Sequence, residues 1–457
     1  MNALADPREA KAFRFVRREY ADGELRLVYA FDDGPELVEC IGFPDAPRVA
    51  DERRGAFEAA LDLLHWIAGI SYYKAGVPGE LRVEARVPDV RAAALLDDLY
   101  LHGLGEFAYH NRLDLRDRIH FPASAGVATP SRASEHIDAA GAPTLDLPRR
   151  SLVPIGGGKD SLVSVEILRG ANDPATAVWI GNSPLIADCA ARTGLPMLSI
   201  RREISPLLFD YNRLGAWNGH IPVTAINSAI LVVAAILYGF DAIVFSNERS
   251  ASSATLEYDG QEVNHQWSKG WAFEAALDDL IHATIAADLH YYSLLRPLSE
   301  LAVAARFARE KRYDEVFSSC NRNFRLRGPK PVDRWCGQCP KCHFVFLALA
   351  PFLPKPRLLA IFGRNLLDDA SQIAGLDALL EFRDHKPFEC VGEGVESRAA
   401  MAALAARPEW REDAVVAHFI DEVAPHLASA DLALAPLLEV AGAHRIPAHL
   451  HAVLERG

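Results

Sequence analysis

Cysteine is scarce and unevenly spread: the 457-residue chain has seven, an odd number, and four of them fall between positions 320 and 342. A secreted domain stapled by disulfides does not distribute its thiols that way, whereas a protein of a reducing compartment with one clustered metal site does. Basic residues are in deficit, 48 Lys and Arg against 61 Asp and Glu, and the formal net charge of −13 argues against a dedicated nucleic-acid binder. Long apolar runs are missing too. The longest, residues 229–240, is too short to span a bilayer and reads as a buried helix. Residues 1–9 carry acids where a signal peptide needs a basic and then an apolar stretch. The expected address is the cytoplasm, with neither membrane nor nucleic acid as partner.

What is present is an ordinary globular composition, half hydrophobic and 24% charged, which excludes collagen-like and disordered classes. The length suggests two or three domains. Residues 1–145 read as an α+β domain: β-rich runs over 13–20, 25–31 and 37–43, a helix over 53–70, a strand over 81–87 and a helix over 90–101. Residues 123–148, rich in Ala, Gly, Ser and Pro, read as a linker. From Ser151 the rhythm changes. Apolar strands over 151–155, 176–180, 197–201 and 241–245 alternate with helices over 161–169, 184–192 and 222–238, and Gly170, Gly194 and Gly239 stand where helix ends favour positive φ. This pattern predicts an α/β domain over 146–354, a doubly wound, mostly parallel sheet covered on both faces. Ligands in such sheets sit beyond the carboxyl ends of the strands, at the loops 156–161, 181–183, 202–205 and 246–269. Residues 355–457 read as a mostly helical region, interrupted by a Gly-rich acidic loop over 386–397 that contains Cys390.

The segment Gly156-Gly157-Gly158-Lys159-Asp160-Ser161 follows a strand and opens a helix. Glycines let the backbone approach an anion, and the free N–H groups of the new helix point toward it. Lys159 adds positive charge, Ser161 a hydroxyl, and Asp160 a carboxylate suited to Mg²⁺. The spacing fits neither the dinucleotide G-x-G-x-x-G pattern nor a Walker A loop. It resembles the pyrophosphate loop, Ser-Gly-Gly-x-Asp-Ser, of the ATP pyrophosphatase superfamily, with Gly156 in place of the first serine. That resemblance implies cleavage of ATP between its α and β phosphates and transfer of AMP to a carboxylate or amide oxygen.

Cys320, Cys336, Cys339 and Cys342 supply four thiolates, the ligand set of a closed, structural Zn²⁺ site. A four-thiolate iron–sulfur cluster is the alternative. The arrangement resembles the zinc site of 7-cyano-7-deazaguanine synthase. His343 is an adjacent spare ligand. Cys189 reads as a small buried residue.

The polar loop after the strand over 241–245 offers Ser246 and Arg249 to a nucleotide, Glu248 to a metal, and His265 and Lys269 to proton transfer or phosphate binding. Tyr258 is a further proton carrier. Arg213, Trp217, Asn218 and His220 form a second polar–aromatic loop suited to adenine or a second substrate.

Together the segments 154–161, 246–252, 263–269, 336–342 and 387–392 resemble the UDP-N-acetyl-α-D-muramoyl-L-alanyl-L-glutamate epimerases. The resemblance implies a small-molecule nucleotide dipeptide as substrate, and inversion of its terminal L-Glu to D-Glu at the expense of ATP in peptidoglycan synthesis. It implies ATP, Mg²⁺ and structural Zn²⁺. His265, Lys269, Glu248 and Asp160 are then the expected catalytic residues, and residues 156–161 with Ser246 and Arg249 the nucleotide site. The chemistry is coherent: an acyl-adenylate removes the carboxylate charge that opposes loss of the α-proton, and ring closure to an oxazolone would acidify it further. The competing expectation is an adenylating, amidating ligase resembling 7-cyano-7-deazaguanine synthase. A non-catalytic scaffold fits poorly with retention of Lys159, Asp160 and Ser161.

Overall fold

The computed structural model describes residues 4–124, 142–325, 329–383 and 386–456. Among them, β1 (Ala12–Ala21), β2 (Glu24–Phe31), β3 (Leu37–Gly42) and β4 (Glu80–Val83) come from the first quarter of the chain. They are followed by β5 (Ser151–Pro154), β6 (Ala175–Ile180), β7 (Met197–Glu203) and β8 (Ala242–Phe245), a small hairpin of β9 (Leu256–Tyr258) and β10 (Gln261–Val263), and β11 (His290–Ser293). All but the hairpin join one mixed sheet in the order β11-β8-β5-β6-β7-β3-β2-β1-β4. The pairs from β11 to β7 are parallel. Their short, buried apolar strands need cover on both faces, and the helices Lys159–Gly170, Pro184–Thr193, Val223–Tyr238 and Trp271–Thr284 lie between them in sequence.

The helix ends follow backbone freedom. Gly194 and Gly239 take the left-handed conformation, with φ of 71° and 75°. Gly170 does not. It is the last helical residue, and Asn172 takes the left-handed position instead, φ 51°, a conformation that short polar side chains tolerate. The strand expected over 81–87 stops at Val83; the Glu84 N–H makes one more bond, to the Phe15 carbonyl, and Pro88 lies just beyond. Residues 125–141 of the expected linker lie outside the described residues. Its end is tied down: Asp288 accepts the N–H groups of Leu145 at 2.8 Å and Leu147 at 3.0 Å.

The N-terminal strands continue the parallel sheet. β3 runs antiparallel to β7, with Ile41 opposite Arg202. At this seam the buried Glu39 carboxylate accepts from Arg202 at 2.7 Å, and Arg202 also donates to Ser71 at 3.1 Å. The helix Val223–Tyr238 is buried along nearly its whole length and packs against Arg54–Ala68. Apolar residues all round suit it to that enclosed position. Among the described residues no helix is long and apolar enough to cross a membrane. Beyond β11 the described chain contains helices and turns and no strand.

The Glu39–Arg202 pair should govern the seam. Glu39→Ala leaves a guanidinium buried without its counter-ion, and chemical denaturation should show a loss of about 3 kcal/mol. A loss below about 1 kcal/mol, the range of an exposed pair, would mean that the seam is held by backbone pairing alone.

Candidate active site

Strand order reverses between β5 and β8, and such a switch point opens a crevice at the carboxyl ends of the strands. A cavity of about 330 Å³ lies there. Its walls include Gly156, Gly158, Asp160 and Ser161 after β5, Ser246 and Glu248 after β8, then Lys269, Ser319, Lys341 and Cys390. The phosphate loop and the polar loop after β8 therefore face one space.

The loop backbone is set by two glycines. Gly157 has φ of 86°, and a Cβ at Gly158 would stand 2.6 Å from the Ser319 hydroxyl. Gly156 has open space around it, so nothing steric demands glycine there. The Gly157 carbonyl accepts the Ser318 N–H at 2.8 Å, which ties the loop to the segment leading into Cys320. Cys189 is fully buried beneath it, and burial pushes its thiol up to about 12.

Lys159 departs from a simple phosphate contact. Its side chain is buried, and its ammonium bonds Asp160 and Glu300. Glu300 opens the helix Glu300–Phe307, is itself buried, and also meets Lys341 at 3.5 Å. Burial favours its neutral form, but Lys159 and Lys341 outweigh this and hold the carboxyl down at about 2. Asp160, Glu248 and Glu300 offer three carboxylate oxygens within 4.8 Å of one another. Burial, then the like charges of Glu300 and Asp160, push Glu248 up to about 7. Oxygen donors so grouped suit a hard divalent cation, whose charge would relieve that repulsion. Glu300 was not evident in the sequence, because it is a single acid delivered from a distant helix.

Lys269 and Cys390 meet at the cavity wall, with His265 beside them. Lys269 donates to the Cys390 sulfur at 3.1 Å. His265 acts electrostatically on the same sulfur and, through Nδ1, bonds the Glu106 carboxylate. Burial opposes charge on the imidazole, but Cys390 and Glu106 raise it to about 9. Burial likewise opposes the thiolate, but Lys269 and His265 bring Cys390 down to about 5. His220 reaches this cluster, its ring 4.3 Å from that of His265, and burial lowers it to about 4. Cys390 and Glu106 are functional candidates that sequence reasoning missed. The one available signal was an acidic Gly-rich loop with a cysteine inside a helical region.

Other candidates stand apart. Arg249 donates to the Ala441 carbonyl at 3.4 Å and does not line the cavity. Tyr258 is half-exposed and meets Tyr109 edge-on at 5.0 Å. Arg213 is paired with Asp210, Trp217 lies under Arg8 and Asn218 accepts from Lys74 at 2.6 Å.

The four cysteines come together with their sulfurs within 4.8 Å of one another. Cys342 lies 3.4 Å from Cys339 and 3.7 Å from Cys336, close to the ~3.8 Å edge of a tetrahedron of thiolates about zinc. The Gln338 N–H points at the Cys336 sulfur from 3.4 Å. This cluster can hold zinc. His343 is turned away and bonds Gln372 at 2.5 Å.

A mixed α/β sheet whose switch-point cavity is lined by a glycine-rich loop, by the carboxylates of Asp160 and Glu248, and by Lys269, Lys341 and Cys390 suits an enzyme for a small charged substrate. Residues 4–294 match the family model of the MurL N-terminal domain, and residues 316–434 that of the MurL C-terminal domain. The chain is 59% identical over 445 residues to the UDP-N-acetyl-alpha-D-muramoyl-L-alanyl-L-glutamate epimerase of Xanthomonas oryzae pv. oryzae (strain MAFF 311018), covering 97% of this chain and 96% of that one. It is 42% identical over 443 residues to the protein of that name from a Micromonospora species (strain ATCC 39149 / NRRL 15099 / SCC 1413), covering 96% of each. The chain belongs to the MurL family, whose curated members carry the epimerase name.

Glu300 gives a sharp test of this site. Glu300→Gln keeps the shape but leaves two buried ammonium groups short of a counter-ion, and unfolding free energy should fall by about 3 kcal/mol at pH 7. Because the carboxyl is depressed in the folded protein, its contribution is fully present above its unfolded value near 4.5 and is lost as pH falls toward about 2. Equal stability of the two proteins at pH 7 would remove Glu300 from this role.

Proposed function

We propose that this chain inverts the terminal L-Glu of UDP-N-acetylmuramoyl-L-Ala-L-Glu to D-Glu, consuming ATP and releasing AMP and diphosphate, in peptidoglycan synthesis. One observation carries the reading: a single cavity is lined both by the glycine-rich loop after β5 and by Lys269 and Cys390 of a proton-handling cluster. The names of the relatives supply the substrate.

In this reading the domain over 146–354 is of the ATP pyrophosphatase type; residues 355–457 reach the cavity wall through Cys390, and residues 1–145 reach the cluster beside it through Glu106. The N–H groups at the start of Lys159–Gly170 and the Ser161 hydroxyl cradle the phosphates, with Ser246 beside them. Lys159 acts from beneath, adding positive potential while fixing Asp160 and Glu300. Asp160, Glu248 and Glu300 would hold Mg²⁺, which neutralises phosphate charge when bound. The cysteines would hold structural Zn²⁺ and thereby fix Ser319 and Lys341 on the cavity wall.

Adenylation of the glutamyl α-carboxylate replaces a charge that opposes carbanion formation with an electron-withdrawing carbonyl. The α-proton then leaves to the cluster around His265 and Lys269, returns on the opposite face, and hydrolysis frees the D product. Ring closure by the neighbouring amide oxygen to an oxazolone serves the same end. All seven cysteines are free, which suits a reducing compartment such as the cytoplasm.

Chromatography of the nucleotides after turnover with the muramoyl dipeptide should show AMP, and ADP as the main product would sink the adenylation reading. Asp160→Asn should lower turnover roughly 100-fold without loss of fold, as expected when a charge-stabilising group at the reacting phosphates is removed.

Elemental analysis of purified protein should give one zinc per chain. Cys339→Ser should lose the metal and melt at lower temperature, because a closed thiolate site contributes folding free energy. Iron with acid-labile sulfide in place of zinc would identify a cluster instead.

A further inference from the structure

Cys390 has no role in the reaction as described so far. It lines the cavity that Asp160, Ser161 and Glu248 share. Lys269 donates to its sulfur at 3.1 Å, His265 acts on it electrostatically, and Glu106 holds the imidazole at Nδ1. A carboxylate–imidazole–thiol series with a lysine on the sulfur keeps a thiol ionised and oriented. The backbone is fixed as well. Lys341 donates to the Cys390 carbonyl, Gln266 donates to the Val391 carbonyl at 3.4 Å, and a Cβ on Gly392 would stand 2.6 Å from the Phe344 ring.

We propose that Cys390 is the catalytic residue that removes the α-proton of the activated glutamyl residue, with His265, Lys269 and Glu106 as positioning residues that hold its sulfur. This assignment rests on the adenylation reading above. The Cα–H bond breaks, its electron pair passes into the acyl carbonyl to give an enolate, and the proton bonds to Sγ. Water delivers a proton to the opposite face of Cα, and the hydroxide left behind takes the proton from Sγ. Configuration is inverted, the thiolate is restored, and no oxidant or reductant is consumed.

Two observations favour Cys390 over its neighbours. His265 does not line the cavity; Cys390 does. At neutral pH the imidazole, raised to about 9, and the Lys269 ammonium, raised by Cys390 and Glu248 against the effect of burial, already carry their protons. The thiol, lowered to about 5, stands ready to accept one. The groups facing it are Lys269, His265 and Lys341, with Glu389 next to it in the chain and Glu106 and Glu248 behind the histidine and lysine. The cations outweigh the acids.

The test is Cys390→Ser with ATP, Mg²⁺ and UDP-N-acetylmuramoyl-L-Ala-L-Glu in D₂O, following diphosphate release in the first turnover and deuterium at the glutamyl Cα. Release should largely persist while deuterium incorporation falls by about 100-fold or more, the usual worth of a positioned general base. Normal release with undiminished deuterium overturns the assignment. Equal loss of both overturns it too, because Cys390 would then serve adenylation or folding. An intact-mass adduct of the dipeptide on the Cys390 of the unmodified enzyme also overturns it, since the sulfur would then be a nucleophile. Absence of diphosphate release from the unmodified enzyme would instead sink the adenylation reading and this one with it. A second measurement needs no variant. Iodoacetamide labelling of the Cys390 peptide should rise with a midpoint far below the ordinary thiol value of about 8.5. A midpoint at that ordinary value overturns the proposal.

Discussion

The site depends on one buried carboxylate. Glu300 sits between Lys159 of the phosphate loop and Lys341 of the helix Pro340–Leu349, out of contact with water. A buried ion pair is a poor source of net stability, because desolvation of the partners offsets their attraction. Its value here is geometric. Lys159 can reach Glu300 only if the loop folds as it does, and Lys341 can reach it only if the segment between Cys339 and Cys342 is held in place. The Lys341 ammonium also bonds the Cys390 carbonyl. Phosphate loop, cysteine cluster and thiol are thus linked through one oxygen-bearing side chain. Through Lys341, which lies between Cys339 and Cys342, the cysteine segment is tied to the cavity wall.

Charge balance follows from the same crowding. Lys159, Lys269, Lys341 and His265 face Asp160, Glu248, Glu300, Glu106 and Cys390 in or just behind one cavity wall. In a low-dielectric space each group sets its neighbour's protonation. Glu248, where burial and the charges of Glu300 and Asp160 outweigh Lys269 and Lys159, is pushed up, and Glu300, paired with two ammonium groups, is pulled down. Burial raises the thiol in both places: it pushes Cys189 up, while at Cys390 Lys269 and His265 outweigh it and bring the thiol down.

Much of this was legible in the sequence wherever the information is local. Apolar strands alternating with helices marked the parallel strands β5 to β8, and the spacing of Cys336, Cys339 and Cys342 marked a thiol cluster that the fold brings together with Cys320. What escaped depends on distant pairing. Nothing in residues 37–43 says that Ile41 will lie opposite Arg202, so the continuous sheet could not be read from two separately sensible segments. β11, a short Tyr-rich edge strand, lacks the flanking turn signals that marked the others. Glu106, Glu300 and Cys390 are single residues whose meaning comes from partners 40 to more than 100 positions away. His265 was visible as a titratable residue beyond a strand end, but its engagement by Glu106 and Cys390 was not.

The convergence also explains why the sheet carries extensions at both ends of the chain. The glycine-rich loop and the parallel strands alone supply none of the partners that set the charge of this cluster. Glu106 comes from the helix Gly105–Asn111, within the N-terminal extension of the sheet; His265 and Lys269 come from the loop after β8; Cys390 and Lys341 come from the C-terminal part. Each alone would be an ordinary surface group with an ordinary pKa. Brought together, Glu106 and Cys390 raise the imidazole of His265, and Lys269 and His265 lower the thiol of Cys390. The extensions therefore deliver groups whose mutual field sets the protonation of the cluster.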